Sequence, residues 1–302
     1  MSPILQFLLV LSLAILAGSK VTVQGFMSRK HIRTTQDNLW FNSLLFFIIA
    51  LLMALIFSIG QITGTILFYA VLAGLCNIIF QYCYAIALRT GPVSLTVLIG
   101  NFYVLVTTGF SCIYFGESLY PTQLVAIALL VASMILTTES KPDEKKATRK
   151  WVILPLICMG IAAFDGICQK FFLRTPDALL PNAQSTQLAM GYIIASAIGF
   201  ALYFIKARKG EKSSLGFKRS VLLYTLAVGV LLTLYRRFNM YALSVVEATF
   251  LFPTYAGLNS LLMMLSGIIL FKDKLSRKQT IGLICGIASV VLMNIRLGIP
   301  LN

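Results

Sequence analysis

Long apolar runs separated by short polar gaps dominate the pattern of this chain. A membrane-spanning helix needs roughly 20 predominantly apolar residues, and ten segments meet that requirement. The longest polar gap, Thr137–Lys150, lies at the middle of the chain. The pattern predicts an all-α integral membrane protein with ten transmembrane helices, here called spans one to ten: Ile4–Phe26, Asn38–Ser58, Ile66–Leu88, Pro92–Phe115, Leu119–Leu136, Trp151–Leu173, Thr186–Ile205, Val221–Leu243, Ala248–Leu270 and Thr280–Asn294.

Composition places the chain in the same class. It is 58% hydrophobic and 12% charged, whereas a soluble domain is about a quarter charged. The formal net charge of +15 would suggest nucleic-acid binding if the basic residues formed a patch, but they fall in the short gaps between apolar runs. We therefore expect a lipid bilayer, and no nucleic acid, as the partner of this chain.

The residues that usually perform catalysis or bind metals are scarce. His31 is the only histidine, and no nucleophile–base pair or nucleotide-binding loop is visible in the sequence. We expect no enzymatic activity, no metal site and no cofactor. The six cysteines lie in apolar runs without a C-x-x-C motif, which predicts reduced packing residues: Cys76, Cys83, Cys112, Cys158, Cys168 and Cys285.

The lysines and arginines are distributed unevenly among the loops. Of the 25 in the chain, 19 lie in the loops after odd-numbered spans, and only Arg174 and Arg296 lie in the other loops and the termini. Short loops rich in lysine and arginine stay in the cytoplasm. The bias predicts that the odd-numbered loops are cytoplasmic and that both termini are outside.

No basic residue precedes the first apolar run and no good A-x-A site follows it, so we expect no signal peptide.

The ends of the two halves of the chain resemble each other. Five positions near spans five and ten match at a constant offset of 156 residues. Each half has five spans, an odd number, so the two halves must insert with opposite orientation. We therefore predict two inverted five-helix repeats, residues 1–137 and 151–302, joined by a basic cytoplasmic linker at 138–150. The matching residues are Phe115, Leu119, Gln123, Ala132 and Ser133 in the first half, and Phe271, Leu275, Gln279, Ala288 and Ser289 in the second.

This organisation resembles the drug/metabolite transporter superfamily, and specifically its ten-helix EamA-type members. The resemblance covers nearly the whole chain and implies a secondary transporter whose substrate site lies between inverted repeats. Two departures concern the first span and the termini. Span one has Ala17-Gly18-Ser19-Lys20 where relatives commonly have Trp-Gly, and it lacks the carboxylate with which small multidrug-resistance relatives bind cations. Many relatives also keep their termini in the cytosol. The local marks of the resemblance are Glu117, Leu119 and Gln123, then Asp273, Leu275, Gln279, Gly282 and Gly286.

Charged residues inside the spans are the main candidates for function. Lys20 and Asp165 align between spans one and six, and each is followed four residues later, on the same helix face, by a glutamine: Gln24 or Gln169. A charge in hydrocarbon costs about 2.5–3.5 kcal/mol on insertion scales, so such residues normally face the protein interior. The alternative for Lys20 is that its long side chain reaches the cytoplasmic interface.

Lys20 and Asp165 are not expected to pair, although they align. Both lie past the midpoints of helices that run in opposite directions, so they should differ by roughly 10 Å in depth. Arg236 and Arg237 of span eight lie at the level of Asp165, and we predict that one of them pairs with it. Their repeat equivalents, Gln81 and Tyr82, lie at the level of Lys20 and are neutral.

Other polar side chains complete the predicted substrate site. Asn101 and Tyr103 in span four and Tyr255 and Asn259 in span nine are further candidates. For each of them singly, ordinary interhelical hydrogen bonding is favoured over substrate binding. Pro253 should kink span nine, and Gly282-x-x-x-Gly286 should let span ten pack closely. The candidate substrate-binding residues are Lys20, Gln24, Gln81, Tyr82, Asn101, Tyr103, Asp165, Gln169, Arg236, Arg237, Tyr255 and Asn259.

The charges within the spans favour an anionic substrate. Lys20, Lys170, Arg236 and Arg237 exceed Asp165 and the boundary residue Glu247 by two positive charges. We expect a monomeric carrier of the inner membrane that moves an amino acid, organic acid or phosphorylated metabolite by alternating access, with proton or exchange coupling. The alternatives are an exporter of cationic or aromatic amphiphiles that uses Asp165 to exchange protons, a flippase for lipid-linked head groups, and a membrane receptor.

The loop charges generate a direct test of topology. A reporter that fluoresces only in the cytoplasm, fused after Asn302, should remain dark because the positive-inside rule places that end outside. The same reporter inserted into the 138–150 linker should fluoresce. Strong fluorescence from the C-terminal fusion would contradict the predicted orientation.

Overall fold

The architecture is all-helical in the part of the chain that the structure describes. A computed structural model describes residues 3–91, 93–138, 149–208, 210, 213–216, 218–271 and 276–295, and these ranges contain no β-strand. Most of the predicted linker, Asp273 and the C-terminal residues lie outside them. The helices are α1 (Pro3–His31), α2 (Thr35–Phe57), α3 (Gly64–Thr90), α4 (Val93–Asn101), α5 (Tyr103–Phe115), α6 (Pro121–Thr137), α7 (Arg149–Leu173), a 3₁₀ helix (Pro176–Leu179), α8 (Ala183–Arg208), α9 (Arg219–Val245), α10 (Ala248–Phe271) and α11 (Arg277–Met293).

A helix occupies each predicted span, and one span is interrupted. Span four is divided into α4 and α5 at Phe102, whose backbone N–H bonds to Ile99 at 3.1 Å in a tight i→i−3 turn. By length and composition, seven helical segments of the described chain suffice to cross a membrane. The all-α membrane class is therefore confirmed, and the number of ten crossings stays a prediction. The seven are Ile4–Gln24, Thr35–Phe57, Gly64–Leu88, Leu95–Phe115, Trp151–Leu173, Ala183–Arg208 and Arg219–Val245.

The chain forms two compact units that do not coincide with the two halves of the sequence. Unit 1 comprises Met1–Gly18, Ala87–Ala163 and Ala242–Asn302, and unit 2 comprises Ser19–Ile86 and Phe164–Tyr241. Both units take helices from both halves, because α1, α3, α7 and α9 each contribute residues to both. Compact units and sequence repeats are thus different divisions, and the repeat boundaries stay a prediction.

Reciprocal hydrogen bonds join α6 and α11 in unit 1. The Ser133 hydroxyl donates to the carbonyl of Gly282 at 2.6 Å, and the Ser289 hydroxyl donates to the carbonyl of Ala126 at 2.7 Å. Ala126 and Gly282, like Ser133 and Ser289, are separated by the repeat offset of 156. The two helices therefore run antiparallel and exchange equivalent bonds, as a local two-fold axis requires. This pairing supports the repeat, while the inverted relation of the complete halves stays a prediction.

The residues that carry the family resemblance have structural roles in unit 1. The side-chain oxygen of Gln123 accepts the backbone N–H of Tyr120, and that of Gln279 accepts the backbone N–H of Ser276, each at 3.1 Å. Both glutamines lie at the third position of their helices and satisfy a backbone donor at the starts of α6 and α11. At α11 the Ser276 hydroxyl also accepts the backbone N–H of Gln279 at 3.2 Å, which completes a capping box. The Glu117 carboxylate likewise accepts the backbone N–H of Thr249, in the first turn of α10, at 2.9 Å.

In unit 2, α2 packs along α8 over a core that includes Phe41, Phe46 and Tyr192. The Ser196 hydroxyl donates to the carbonyl of Ser43 at 2.9 Å across this pair. Asp37 anchors the start of α2, because its carboxylate accepts hydrogen bonds from Thr34 and Ser214.

A second contact joins the α2–α3 loop to the start of α8 and the segment before it. The backbone N–H of Gly60 donates to the Thr186 hydroxyl at 2.8 Å, and a Cβ at position 60 would overlap the carbonyl oxygen of Pro181. Beside it, hydroxyl groups of Thr63 and Thr65 hydrogen-bond the Asp177 carboxylate and hold the pKa of that group below its usual range. These contacts fix the end of unit 2 at which α3 and α8 begin.

Gly282 provides a test of the close packing predicted for span ten. A Cβ at Gly282 would lie 2.7 Å from Thr137 Cγ2 and 3.0 Å from Leu136 Cβ, whereas one at Gly109 in α5 would meet nothing within 4 Å. Gly282→Ala should therefore destabilise the protein by about 1–3 kcal/mol through overpacking. Gly109→Ala should be neutral or stabilising, because alanine favours helix. Equal thermal midpoints of the two variants in detergent would contradict the packing model.

Candidate functional site

Asp165 is the carboxylate in the middle of a helix of unit 2, and its role differs from that of the other described acidic residues. Asp37 and Glu117 bind backbone N–H groups at helix starts, and Asp177 joins two loops. Glu247 lies in the gap just before α10. Asp165 lies well inside α7, where a carboxylate needs a specific partner to remain charged.

That partner is Arg236. One carboxylate oxygen, Oδ2 of Asp165, lies 3.2 Å from Nη1 of Arg236 and accepts a second bond from Nε2 of Gln169 at 2.8 Å. The predicted pairing of Asp165 with an arginine of span eight, instead of with Lys20, is therefore confirmed. The side chains of Arg236 and Asp165 are 20% and 13% exposed, so the pair is well shielded from solvent.

Two asparagines extend this pair into a network across three helices. Arg236 Nη2 donates to Oδ1 of Asn77 in α3 at 3.1 Å, and Asn239 of α9 donates to Oε1 of Gln169 at 3.4 Å. The network therefore links α3, α7 and α9 of unit 2. Asn77 also donates to the carbonyl of Ala73 at 2.8 Å, and Gln169 accepts from Asn239. These further bonds hold the partners of the charged pair in place, so the pair has a defined position.

Several polar atoms of this region have no hydrogen-bond partner among the described residues. They include Oδ1 of Asp165 and Nε of Arg236, and both are buried. The Tyr192 side chain is only 2% exposed, and its ring centre lies 6.0 Å from the guanidinium carbon of Arg236. Buried polar groups are normally satisfied, so unused donors and acceptors around one ion pair suggest a place where a ligand or water completes the bonding.

Arg237 belongs to a different part of unit 2. Its Nη1 donates to Oε1 of Gln184, in the first turn of α8, at 2.8 Å, and its guanidinium carbon lies 5.8 Å from the ring centre of Phe57. Successive residues of a helix point about 100° apart, which is why Arg236 reaches Asp165 and Arg237 does not. The two adjacent arginines therefore have separate partners.

Lys20 is a half-buried cation of unit 2 within electrostatic reach of Arg236, so the two positive charges repel each other. Among the residues that the structure describes, no carboxylate lies within ion-pairing distance of it. Gln24, one turn further along α1, is half-buried as well.

Gln81 and Tyr82 line a small open pocket in unit 2, together with residues of α2 that include Asn38 and Asn42. The Tyr82 hydroxyl accepts a hydrogen bond from Nζ of Lys206 at 3.1 Å. These two predicted site residues thus lie in the same unit as Asp165, although none of their described hydrogen bonds joins its network.

The other four predicted residues lie in unit 1. Asn101 ends α4 and Tyr103 begins α5, so both flank the break in span four, and the Tyr103 ring packs edge-on against Phe252 with ring centres 6.2 Å apart. Tyr255 and Asn259 lie one turn apart on α10 and are half-buried. The structure therefore places eight predicted site residues in unit 2 and these four in unit 1.

Sequence reasoning did not identify two residues of the network, Asn77 and Asn239, or two further neighbours of the arginines, Gln184 and Tyr192. Asn77 precedes Gln81 by four residues and Asn239 follows Arg236 by three, so helical spacing from charged or polar candidates was a usable signal for both. No local spacing identifies Gln184 or Tyr192, because packing of α8 within unit 2 brings them to the arginines.

Comparison with known proteins finds a family match and a structural match. The model of the EamA-like transporter family matches residues 5–139 and 149–295. A solved protein, described only as a crystal structure, has a TM-score of 0.77 and 14% sequence identity over 96% of this chain and 96% of its own. At that identity the likeness concerns the fold alone. No curated protein matches the chain in sequence.

The geometry of the pair predicts a specific pattern of stability. Asp165→Asn should lower the free energy of unfolding by about 3–5 kcal/mol, because it strands the buried charge of Arg236. Adding Arg236→Gln should recover much of that loss, since the stranded charge is then removed. Adding Arg237→Gln should give no recovery, because Arg237 binds Gln184. Thermal denaturation in detergent measures all three, and equal rescue by the two arginine substitutions would contradict the pairing.

Proposed function

The chain belongs to the EamA-like transporter family, and from this premise we propose that it carries a small metabolite with an anionic group across the inner membrane by alternating access. The family makes the chain a multi-pass membrane transporter of small molecules. The proposal adds the charge of the substrate, the mechanism and the membrane. No nucleotide-driven or catalytic step is part of it, so transport depends on an ion gradient or on exchange.

The charge balance of unit 2 is the observation that carries the proposal. Arg236, Arg237 and Lys20 lie within helices of this unit, and the one carboxylate that pairs with this set in the described chain is Asp165. Uncompensated charge within a membrane is costly, so a surplus of cations favours a ligand with negative charge. Guanidinium groups suit carboxylate and phosphate particularly well, because they offer several donors in a fixed plane.

Lys20 is proposed as one of the cations that meet the substrate. It has no carboxylate partner in the described chain and is repelled by Arg236. An ammonium group in a hydrated cavity offers three hydrogen-bond donors to a carboxylate or phosphate. A substrate anion near Lys20 would also relieve its repulsion with Arg236, which favours binding further.

Alternating access is proposed to involve ten membrane crossings arranged as two inverted repeats. The antiparallel exchange of equivalent hydrogen bonds between α6 and α11 supports this arrangement. In transporters with inverted repeats, substrate sites lie near the membrane midplane and are often formed by interrupted helices. The break between α4 and α5, flanked by Asn101 and Tyr103, fits that pattern.

A second candidate is an exporter of cationic or aromatic amphiphiles in which Asp165 exchanges protons. The unpartnered Oδ1 of Asp165 and the neighbouring Tyr192 ring favour it. The two candidates differ in the charge of the substrate, which a ligand screen decides. Stabilisation by amino acids, dicarboxylates or sugar phosphates supports the anion carrier, whereas stabilisation by tetraphenylphosphonium alone supports the exporter.

Substitution of Lys20 tests the anion carrier. In proteoliposomes, Lys20→Met should abolish uptake of an anion identified by the screen, and Lys20→Arg should reduce it, because arginine keeps the charge but changes the donor geometry. Lys278→Met, at an exposed lysine in the first turn of α11, is the matched control and should transport normally. Normal uptake by Lys20→Met would mean that Lys20 only extends towards the membrane interface.

A further inference from the structure

We propose that Asp165 is an internal counter-anion, which occupies Arg236 in the substrate-free protein and is displaced by the anionic group of the substrate. The displaced carboxylate then takes up one proton, so that anion and proton bind together. This inference rests on the proposed anion transport and extends it by assigning the coupling ion and the group that carries it.

The contact between Asp165 and Arg236 has the geometry of a partner that can be exchanged. It joins one oxygen to one nitrogen, Oδ2 to Nη1 at 3.2 Å, whereas strong arginine–carboxylate pairs are commonly bidentate and shorter. Oδ1 of Asp165 and Nε of Arg236 make no hydrogen bond within the described residues, although both are buried. The pair therefore leaves unused bonding capacity on each side.

Arg236 can change partners without losing its position. Its Nη2 is held separately by Oδ1 of Asn77 at 3.1 Å, and its guanidinium lies beside the Tyr192 ring. When Asp165 leaves, Nη1 and the already unpartnered Nε become available to a carboxylate or a phosphate oxygen. The buried Tyr192 hydroxyl, beside this guanidinium, can supply a further donor.

Asp165 also keeps a support when Arg236 leaves it. Gln169 of the same helix still donates to Oδ2 at 2.8 Å, while Oδ1 remains open. A carboxylate that is 13% exposed and lacks its counter-charge is unstable in the ionised form. One proton from solvent therefore forms an O–H bond at Oδ1, the ion pair with Arg236 breaks, an ion pair between Arg236 and the substrate forms, and no other bond changes.

Asp165 and Lys20 are the two groups around Arg236 that can gain a proton near neutral pH, and the Asp165→Asn variant described below distinguishes between them. Arg236 of α9, Cys76 of α3 and Tyr192 of α8 face it, Cys168 lies on its own helix, and Lys20 of α1 acts on Arg236. Thiols and phenols do not normally hold an extra proton or ionise near neutral pH. A bound monoanion and the proton on Asp165 leave the net charge of the site unchanged, which avoids the cost of adding charge inside the membrane.

The test measures anion binding by calorimetry between about pH 6 and pH 8, with L-lactate, L-glutamate and sulfate as probes because their charges are constant in that range. If each anion binds together with one proton, the association constant of the anion should fall about tenfold for each unit by which the pH rises. Infrared difference spectra of the wild-type protein should gain a protonated carboxylic-acid band when the anion is added. Both measurements are made on the unaltered protein, so they do not depend on whether a variant folds.

Substitution then assigns the proton to one residue. Asp165→Asn should bind the same probe with no dependence on pH, at least as tightly as the wild type at low pH, because it has no internal competitor. It should also lose the infrared band. Asp177→Asn, at an aspartate of the same unit that joins two loops, should keep the wild-type pH dependence and the band.

The outcomes separate this inference from the proposed function. Anion binding that does not change with pH, or weaker binding by Asp165→Asn than by the wild type at low pH, would overturn the counter-anion and leave anion transport standing. Binding of tetraphenylphosphonium with no binding of the three anions at any pH would overturn both proposals.

Discussion

The ion pair between Asp165 and Arg236 is the interaction on which the arrangement of unit 2 depends. A lone charge of either sign inside a membrane-spanning helix is costly, and two opposite charges reduce that cost only when they are held together. Gln169, Asn77 and Asn239 provide this support from α7, α3 and α9. The lateral positions of three helices therefore depend on one polar contact. A change of partner at Arg236 would alter the hydrogen bonds that hold all three.

The residues that identify the family and the residues that form the candidate site are different. Glu117, Gln123 and Gln279 accept backbone N–H groups at the starts of helices, so their role is to stabilise helix ends. They carry no information about the substrate. The charged network lies at other positions. The family establishes transport in general, and the network must be used to argue what is transported.

The helices were predictable because the bilayer imposes a strict rule: backbone groups within it must be satisfied inside the helix. Each span could therefore be found from its length and apolar content. The pairing of Asp165 with span eight followed from depth along the helices at about 1.5 Å per residue. The break at Phe102 was missed because Gly100 and Asn101, which precede it, lie within an apolar run long enough to form one continuous span. The roles of Gln184 and Tyr192 were missed because they depend on how α8 packs in unit 2, which no spacing along the chain specifies.

The hydrogen bonds between α6 and α11 have one further consequence. Ser133 binds the carbonyl of Gly282 while Ser289 binds that of Ala126, so each helix presents the same surface to the other. Such an interface is isologous, the kind that two identical subunits form around a two-fold axis. Under the predicted inverted repeat, two identical copies of one segment would associate through this interface without a covalent linkage. Joined in a single chain the two halves are free to differ, and the acid of one half and the lysine of the other are an asymmetry that a homodimer of identical chains cannot have.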